Sequence, residues 1–219
     1  MNKKEKKMLG GSILFMLGFV VWTIVVMNFN LQVVGPYESA VGFADLNVAF
    51  HKLTGEHMWI YAWTDWLSII PAAFVGGFGL LGLVQLIKRK SLLKVDFNIL
   101  TLGGFYIIVL IFYLFFEKCV VNYRPVLIEG VLEASYPSST TMLCMCVLPT
   151  AMMQMNLRIK NVTMKRIVLA IMIAFTAFMV IGRMISGVHW LTDIIGGALL
   201  STSLVMLYYS VSGFSKTDK

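Results

Sequence analysis

His189 and Asp193 stand four residues apart, Arg183 lies six before the histidine, and Arg124-Pro125 and the run Pro137-Ser138-Ser139-Thr140-Thr141 precede them. A carboxylate one helical turn beyond a histidine can hold Nδ1–H and leave Nε2 free as a nucleophile. Arg124, Arg183 and the N–H groups of a helix beginning at Ser138-Ser139 are the donors that a phosphate dianion needs. The planar guanidinium fork suits phosphate oxygens better than an ammonium does. The chemistry that uses this set is phosphoryl transfer: Nε2 attacks phosphorus, a phosphohistidine forms, and water cleaves it. The resting imidazole must then be neutral, with the carboxylate orienting it without fixing it as imidazolium.

Each piece also has an ordinary structural reading. Pro-Ser-Ser-Thr is a helix-cap signature, an arginine at a span end marks the interface, and a His–Asp pair often makes only a structural hydrogen bond. Their coincidence at one face favours the chemistry. His51 and His57 read as interfacial histidines, and Glu129 and Glu133, four apart, as one solvated helix face. No Cys, His and carboxylate cluster has zinc spacing, so neither metal nor cofactor is called for.

The elements that must hold these residues are written in the composition. Of 219 residues 58% are apolar and 13% charged, and the mean hydropathy is +0.82. Apolar runs of roughly 20 residues, enough to cross a bilayer core, predict spans near 12–31, 64–87, 97–116, 139–157, 167–182 and 191–211. The expected fold is therefore all-α: an integral membrane bundle of six transmembrane helices, a single membrane domain over 1–219, with both termini cytoplasmic.

The termini follow from charge. Lys3, Lys4, Lys6, Lys7, the 88–94 and 158–166 connections, and Lys216 and Lys219 hold 14 of the 18 basic residues. By the positive-inside rule that side is cytoplasmic and the site faces outward, most simply across the plasma membrane. The net charge of +7 is then a topology signal and no nucleic-acid partner is expected. Trp59, Trp63, Trp66 and Trp190 fall where the outer aromatic belt belongs. The first run is long for a signal peptide and lacks a cleavage site, so it reads as a retained span. Leu46, Ala49, Phe50 and Leu53 recur at helical spacing, as an interfacial helix or a cap over the bundle would require. Cys119, Cys144 and Cys146 suggest no disulfide framework.

With these residues in view, the chain resembles the type 2 phosphatidic acid phosphatase family, integral membrane lipid phosphatases related to vanadium haloperoxidases. Three motifs carry the resemblance. The third, Ser-Arg, five residues, His, three residues, Asp, is matched in every spacing by Arg183, His189 and Asp193, with Gly182 where serine is usual. The first, Lys, six residues, Arg-Pro, is kept in Arg124-Pro125, with Glu117 at the lysine position and Lys118 one residue late, about 100° round a helix. The second, Pro-Ser-Gly-His, reads Pro137-Ser138-Ser139-Thr140. The resemblance implies His189 as nucleophile, Asp193 as its orienter, and Arg124, Ser138, Ser139, Arg183, Lys118 and Thr140 as the phosphate-binding set.

In the family the residue at the Thr140 position is a histidine and the general acid. A positioned acid contributes roughly 10²- to 10⁴-fold, so its replacement costs most when a basic alkoxide leaves and least when a phosphate leaves. The expected partners are therefore the bilayer and a lipid phosphate or diphosphate, an isoprenoid diphosphate above all. Two other outcomes fit the same residues: a non-hydrolytic member that binds lipid phosphate for sensing, scaffolding or transport, and phosphotransfer to an acceptor other than water. His57 is the other imidazole available to replace the acid, and nothing in the sequence specifies an oligomeric state.

Overall fold

The structure, a computed structural model, describes residues 1–213; Lys216, Asp218 and Lys219 lie outside the described residues. Helix α1 (Lys3–Asn28) is followed by a two-stranded hairpin, β1 (Gln32–Gly35) and β2 (Ser39–Val41), then α2 (Ala44–Thr54) and α3 (Met58–Leu67). The remaining helices are α4 (Ile69–Arg89), α5 (Phe97–Lys118), α6 (Ser139–Arg158), α7 (Val162–Ile185) and α8 (Leu191–Val211).

Five of these are long and apolar enough to cross a bilayer: α1, α3 with α4, α5, α7 and α8. The sixth expected span, α6, is 20 residues long but carries Thr, Gln and Asn among its apolar residues, and its buried side chains include Thr140, Thr150 and Gln154. It packs against α4, α5, α7 and α8, which gives polar groups such as Thr150 and Gln154 partners inside the bundle, as polar groups at membrane depth need. Gln154, for instance, donates to the Asn98 carbonyl and the Tyr208 hydroxyl.

Helix ends run past the expected limits because hydropathy marks apolar runs and not caps. Helix α1 begins nine residues early, at a capping box in which Asn2 and Glu5 bond each other's backbone N–H and satisfy the orphan donors of the first turn. The run expected at 64–87 is two helices. Pro71 lacks an N–H and its ring crowds the carbonyl four residues earlier, and the chain turns there, at Leu67-Ser68. Helix α2 lies over the start of α8: Asn47 on its buried face bonds Thr192 twice, at 3.0 and 3.3 Å. Leu46 and Leu53 of α2 point outward, so the helix both caps the bundle and offers an apolar face, which joins the two expectations for it.

With α3 and α4 counted as one span, the chain passes back and forth between two ends of the bundle. Lys88, Arg89, Lys94, Arg158 and Lys165 fall at α4, α5, α6 and α7 ends on one side of the bundle, where Arg89 pairs with Asp96 at 2.7 Å and holds that carboxyl below its usual range. The ends of α5 and α7 and the starts of α6 and α8 meet on the other side.

Candidate active site

The site is assembled at that second end by buried hydrogen bonds that fix the α7–α8 connection. Asp193, fully buried, receives the Trp190 N–H on Oδ2 at 2.9 Å and so caps α8. Its Oδ1 receives the Asn122 amide at 3.3 Å. Trp190 is itself buried, with Nε1 donating to the Tyr123 carbonyl at 2.8 Å. It is therefore not free to join the expected aromatic belt, for which Trp59, Trp63 and Trp66 are exposed; it ties the 122–124 segment to the start of α8. His51 Nε2 donates to the Gly187 carbonyl at 3.0 Å, and the His57 N–H to that of Ser186 at 2.9 Å.

His189 sits within this frame, 3% exposed. Its Nδ1 is 3.8 Å from Asp193 Oδ2, within ion-pair range and beyond hydrogen-bond range. Its Nε2 lies 3.4 Å from Arg124 Nη1. A guanidinium nitrogen only donates, so Nε2 carries the lone pair and the proton belongs on Nδ1, toward Asp193. Burial pushes the imidazole down to about 4, the Asp193 carboxylate pulls the other way, and Arg124 and Arg183 add to the fall. Neutral at rest with Nε2 unprotonated is the state a nucleophile needs.

Two guanidiniums flank it. Arg183, 1% exposed, donates from Nη2 to Asp65 Oδ1 at 2.8 Å and to Thr140 Oγ1 at 2.7 Å, while its buried Nε and Nη1 are orphaned. Arg124 Nε lies 3.0 Å from Glu133 Oε2. The Tyr61 ring lies beside both, 4.7 Å from the Arg183 guanidinium and 5.9 Å from that of Arg124, so one ring attracts two cations. Orphaned donors of this kind are what an anion would satisfy.

Two cavities open beside these groups. A polar pocket of about 200 Å³ is lined by Arg124, Glu117, Glu133, Tyr136 and Ser139. An apolar groove of about 550 Å³ runs between α4, α5 and α6, with Asp65, Ser139 and Thr140 among its lining residues.

Of the residues expected here, His189, Asp193, Arg124, Arg183 and Thr140 come together. Ser139 borders both cavities, whereas Ser138 is fully buried, its hydroxyl accepting the Thr141 N–H at 3.4 Å as the α6 cap. Lys118 is exposed at the end of α5 and lines neither cavity, while Glu117 lines the polar one. His57 Nε2 donates to the Thr54 carbonyl at 2.9 Å, within its own segment. Glu129 and Glu133 share no helix face: Glu129 and Gly130, with φ of 50° and 80°, form a tight turn between bridged residues, and Glu133 pairs with Arg124. Tyr61, Asp65 and Asn122 are contributors that the sequence reading did not single out, and Glu133, read there as part of a solvated helix face, is a fourth. Asp65 had one signal, being the sole carboxylate in the apolar stretch 58–89, where an acid is costly and points to function.

Comparison with known proteins bears on residues 101–216, which match the family described as the PAP2 superfamily. No curated protein matches the chain. The crystal structure of the first transmembrane PAP2 type phosphatidylglycerolphosphate phosphatase from Bacillus subtilis is similar in fold, with a TM-score of 0.59 and 18% identity over 95% of this chain and 97% of that one.

Proposed function

The chain belongs to the PAP2 superfamily, and from that membership we propose that it is a lipid phosphatase, with its site at the extracytoplasmic face and an isoprenoid or other lipid diphosphate as favoured substrate. The observation that carries this reading is the His189 Nε2 lone pair facing Arg124 Nη1 at 3.4 Å, beside the orphaned donors of Arg183. A phosphate that takes Arg124 away from Nε2 places its phosphorus in front of the freed lone pair. Nε2 attacks, the bond to the leaving group breaks, and water hydrolyses the phosphohistidine. Asp193 stabilises the charge that develops on the ring.

Before substrate arrives, Glu133 and Asp65 balance the two guanidiniums, which limits the cost of burying them. Thr140 accepts from Arg183 and donates poorly as an acid, which favours a leaving group that is itself a phosphate, with a second pKa near 6. The apolar groove between α4, α5 and α6 suits a lipid chain that stays in the bilayer while the headgroup reaches the polar end. The basic residues at the opposite end of the bundle support a cytoplasmic amino terminus and an outward site in the cell membrane.

The test is phosphate release by purified protein in excess chelator, from an isoprenoid diphosphate and from the matching monophosphate. Release should be faster from the diphosphate and fall at least 10³-fold in His189→Ala. Tight binding that depends on Arg124 and Arg183, with no release from any lipid, would instead favour the non-hydrolytic reading.

A further inference from the structure

The reaction proposed above lacks an assigned proton donor for any substrate whose leaving group is an alkoxide. Thr140 stands where such a donor is expected, and the nitrogen that it accepts from, Arg183 Nη2, is shared with one other group, the Asp65 carboxylate, at 2.7 and 2.8 Å. Asp65 comes from α3, outside the segment 101–216. Its side chain is 58% exposed, so unlike Arg183 and His189 it is free to move when a ligand arrives.

Its place relative to the groove is the second observation. Asp65, Ser139 and Thr140 form the polar part of a lining otherwise made by residues such as Val75, Leu110 and Val147. A lipid chain in that groove brings the oxygen joining it to phosphorus to the junction of groove and pocket, the leaving-group side of the reaction. His189 lines neither cavity, and its Nε2 faces Arg124, which borders the polar pocket and not the groove. Attack and departure in line at phosphorus need nucleophile and acid on opposite sides, and pocket and groove supply two separate approaches.

A third observation explains how α3 comes so near. At Gly182, where the family motif has serine, an added Cβ would lie 2.7 Å from Thr64 Cγ2. Thr64, fully buried, therefore packs on bare α7 backbone, and the residues beside it, Tyr61 and Asp65, reach Arg183 one residue further along.

We propose that Asp65 is the general acid of this site, protonating the lipid oxygen of a lipid monophosphate and so extending the substrate range beyond diphosphates. A phosphate monoanion displaces Asp65 from Arg183 and transfers its proton to the freed carboxylate. His189 Nε2 then forms the P–N bond as the P–O bond to the lipid breaks; the electron pair stays on the lipid oxygen, which takes the Asp65 proton and leaves as an alcohol. In the second step the Asp65 carboxylate takes a proton from water, whose oxygen bonds to phosphorus as the P–N bond breaks. The departing phosphate takes the proton back from the Asp65 carboxyl and leaves as its monoanion, which restores the carboxylate to Arg183 and leaves the imidazole neutral.

The inference rests on the phosphatase reading, and one experiment separates their failures. Kinetics on the purified full chain compare Asp65→Asn and Asp65→Glu with wild type, using an isoprenyl monophosphate, the matching diphosphate and p-nitrophenyl phosphate. The expected result is that Asp65→Asn raises the ratio of kcat/KM for diphosphate over monophosphate about 10²-fold, with a matching shift for p-nitrophenyl phosphate, and that Asp65→Glu recovers part of the monophosphate rate. An equal loss on all three substrates makes Asp65 a binding group and overturns the proposal, as does an unchanged ratio. If wild type releases phosphate from none of them, or His189→Ala does not lower the release, the phosphatase reading fails and takes this one with it.

Discussion

Asp193 receives one hydrogen bond on each carboxylate oxygen, so the residue proposed to orient the nucleophile also fixes the helix on which it stands. Asp193→Asn keeps the shape but removes the charge that favours the tautomer with Nε2 unprotonated. The expected loss in kcat is roughly 10²- to 10⁴-fold, with a smaller change in KM, measurable by steady-state phosphate release. The His189 imidazole, held near 4, has the opposite sign of shift from a histidine paired in solution. Its neutral form persists as pH falls, so on its account kcat/KM stays level through the ordinary histidine range near 6.5 and declines only as pH approaches about 4. An acid limb centred near 6.5 would mean that the ring is not buried in the working enzyme. Arg183, His189 and Asp193 were legible because they lie within eleven residues of one another at fixed spacing. Asp65 was not, since its partner Arg183 lies 118 residues along the chain and no local pattern encodes such a pairing; Glu133 lies close to Arg124 in sequence, but the turn at Glu129-Gly130 that brings them together replaces the helix the spacing suggested.

At the scale of elements the least legible helix is α6, whose composition is the least apolar of the expected spans while its position is central; a short apolar run and the motif at its start marked it. The hairpin and α2 cover residues for which the sequence offered a helix alone, because strands as short as β1 and β2 leave little periodicity to read. The α3–α7 contact is open to a direct test. Gly182→Ala forces the added methyl against Thr64 Cγ2, and overpacking of this sort costs about 1–3 kcal/mol. A lowered thermal midpoint and reduced activity should follow, and Gly182→Ala with Thr64→Ser, which removes the opposing methyl, should recover most of both. Failure of the second change to compensate would show that α3 is held elsewhere.

Across the whole molecule, charge asymmetry and apolar length placed the chain in a bilayer and set its basic and reactive ends apart. Five of the six expected spans are apolar enough to cross a bilayer by composition alone among the described residues, and α6 is enclosed by its neighbours; hydropathy does not distinguish a helix facing lipid from one so enclosed. The orientation is testable through Cys119, exposed at the reactive end, with Cys144 and Cys146 buried. An impermeant maleimide should label Cys119 in right-side-out vesicles and spare it in sealed inverted ones; the reverse pattern would put the site in the cytoplasm. The measurement that bears most directly on the central claim is rapid-quench trapping with a lipid phosphate labelled at its terminal phosphorus. Wild type should carry the label transiently on protein, in a bond stable to alkali and labile to acid, and His189→Ala should carry none. Undiminished phosphate release by His189→Ala, or label retained in that variant, would contradict the assignment of His189 as nucleophile.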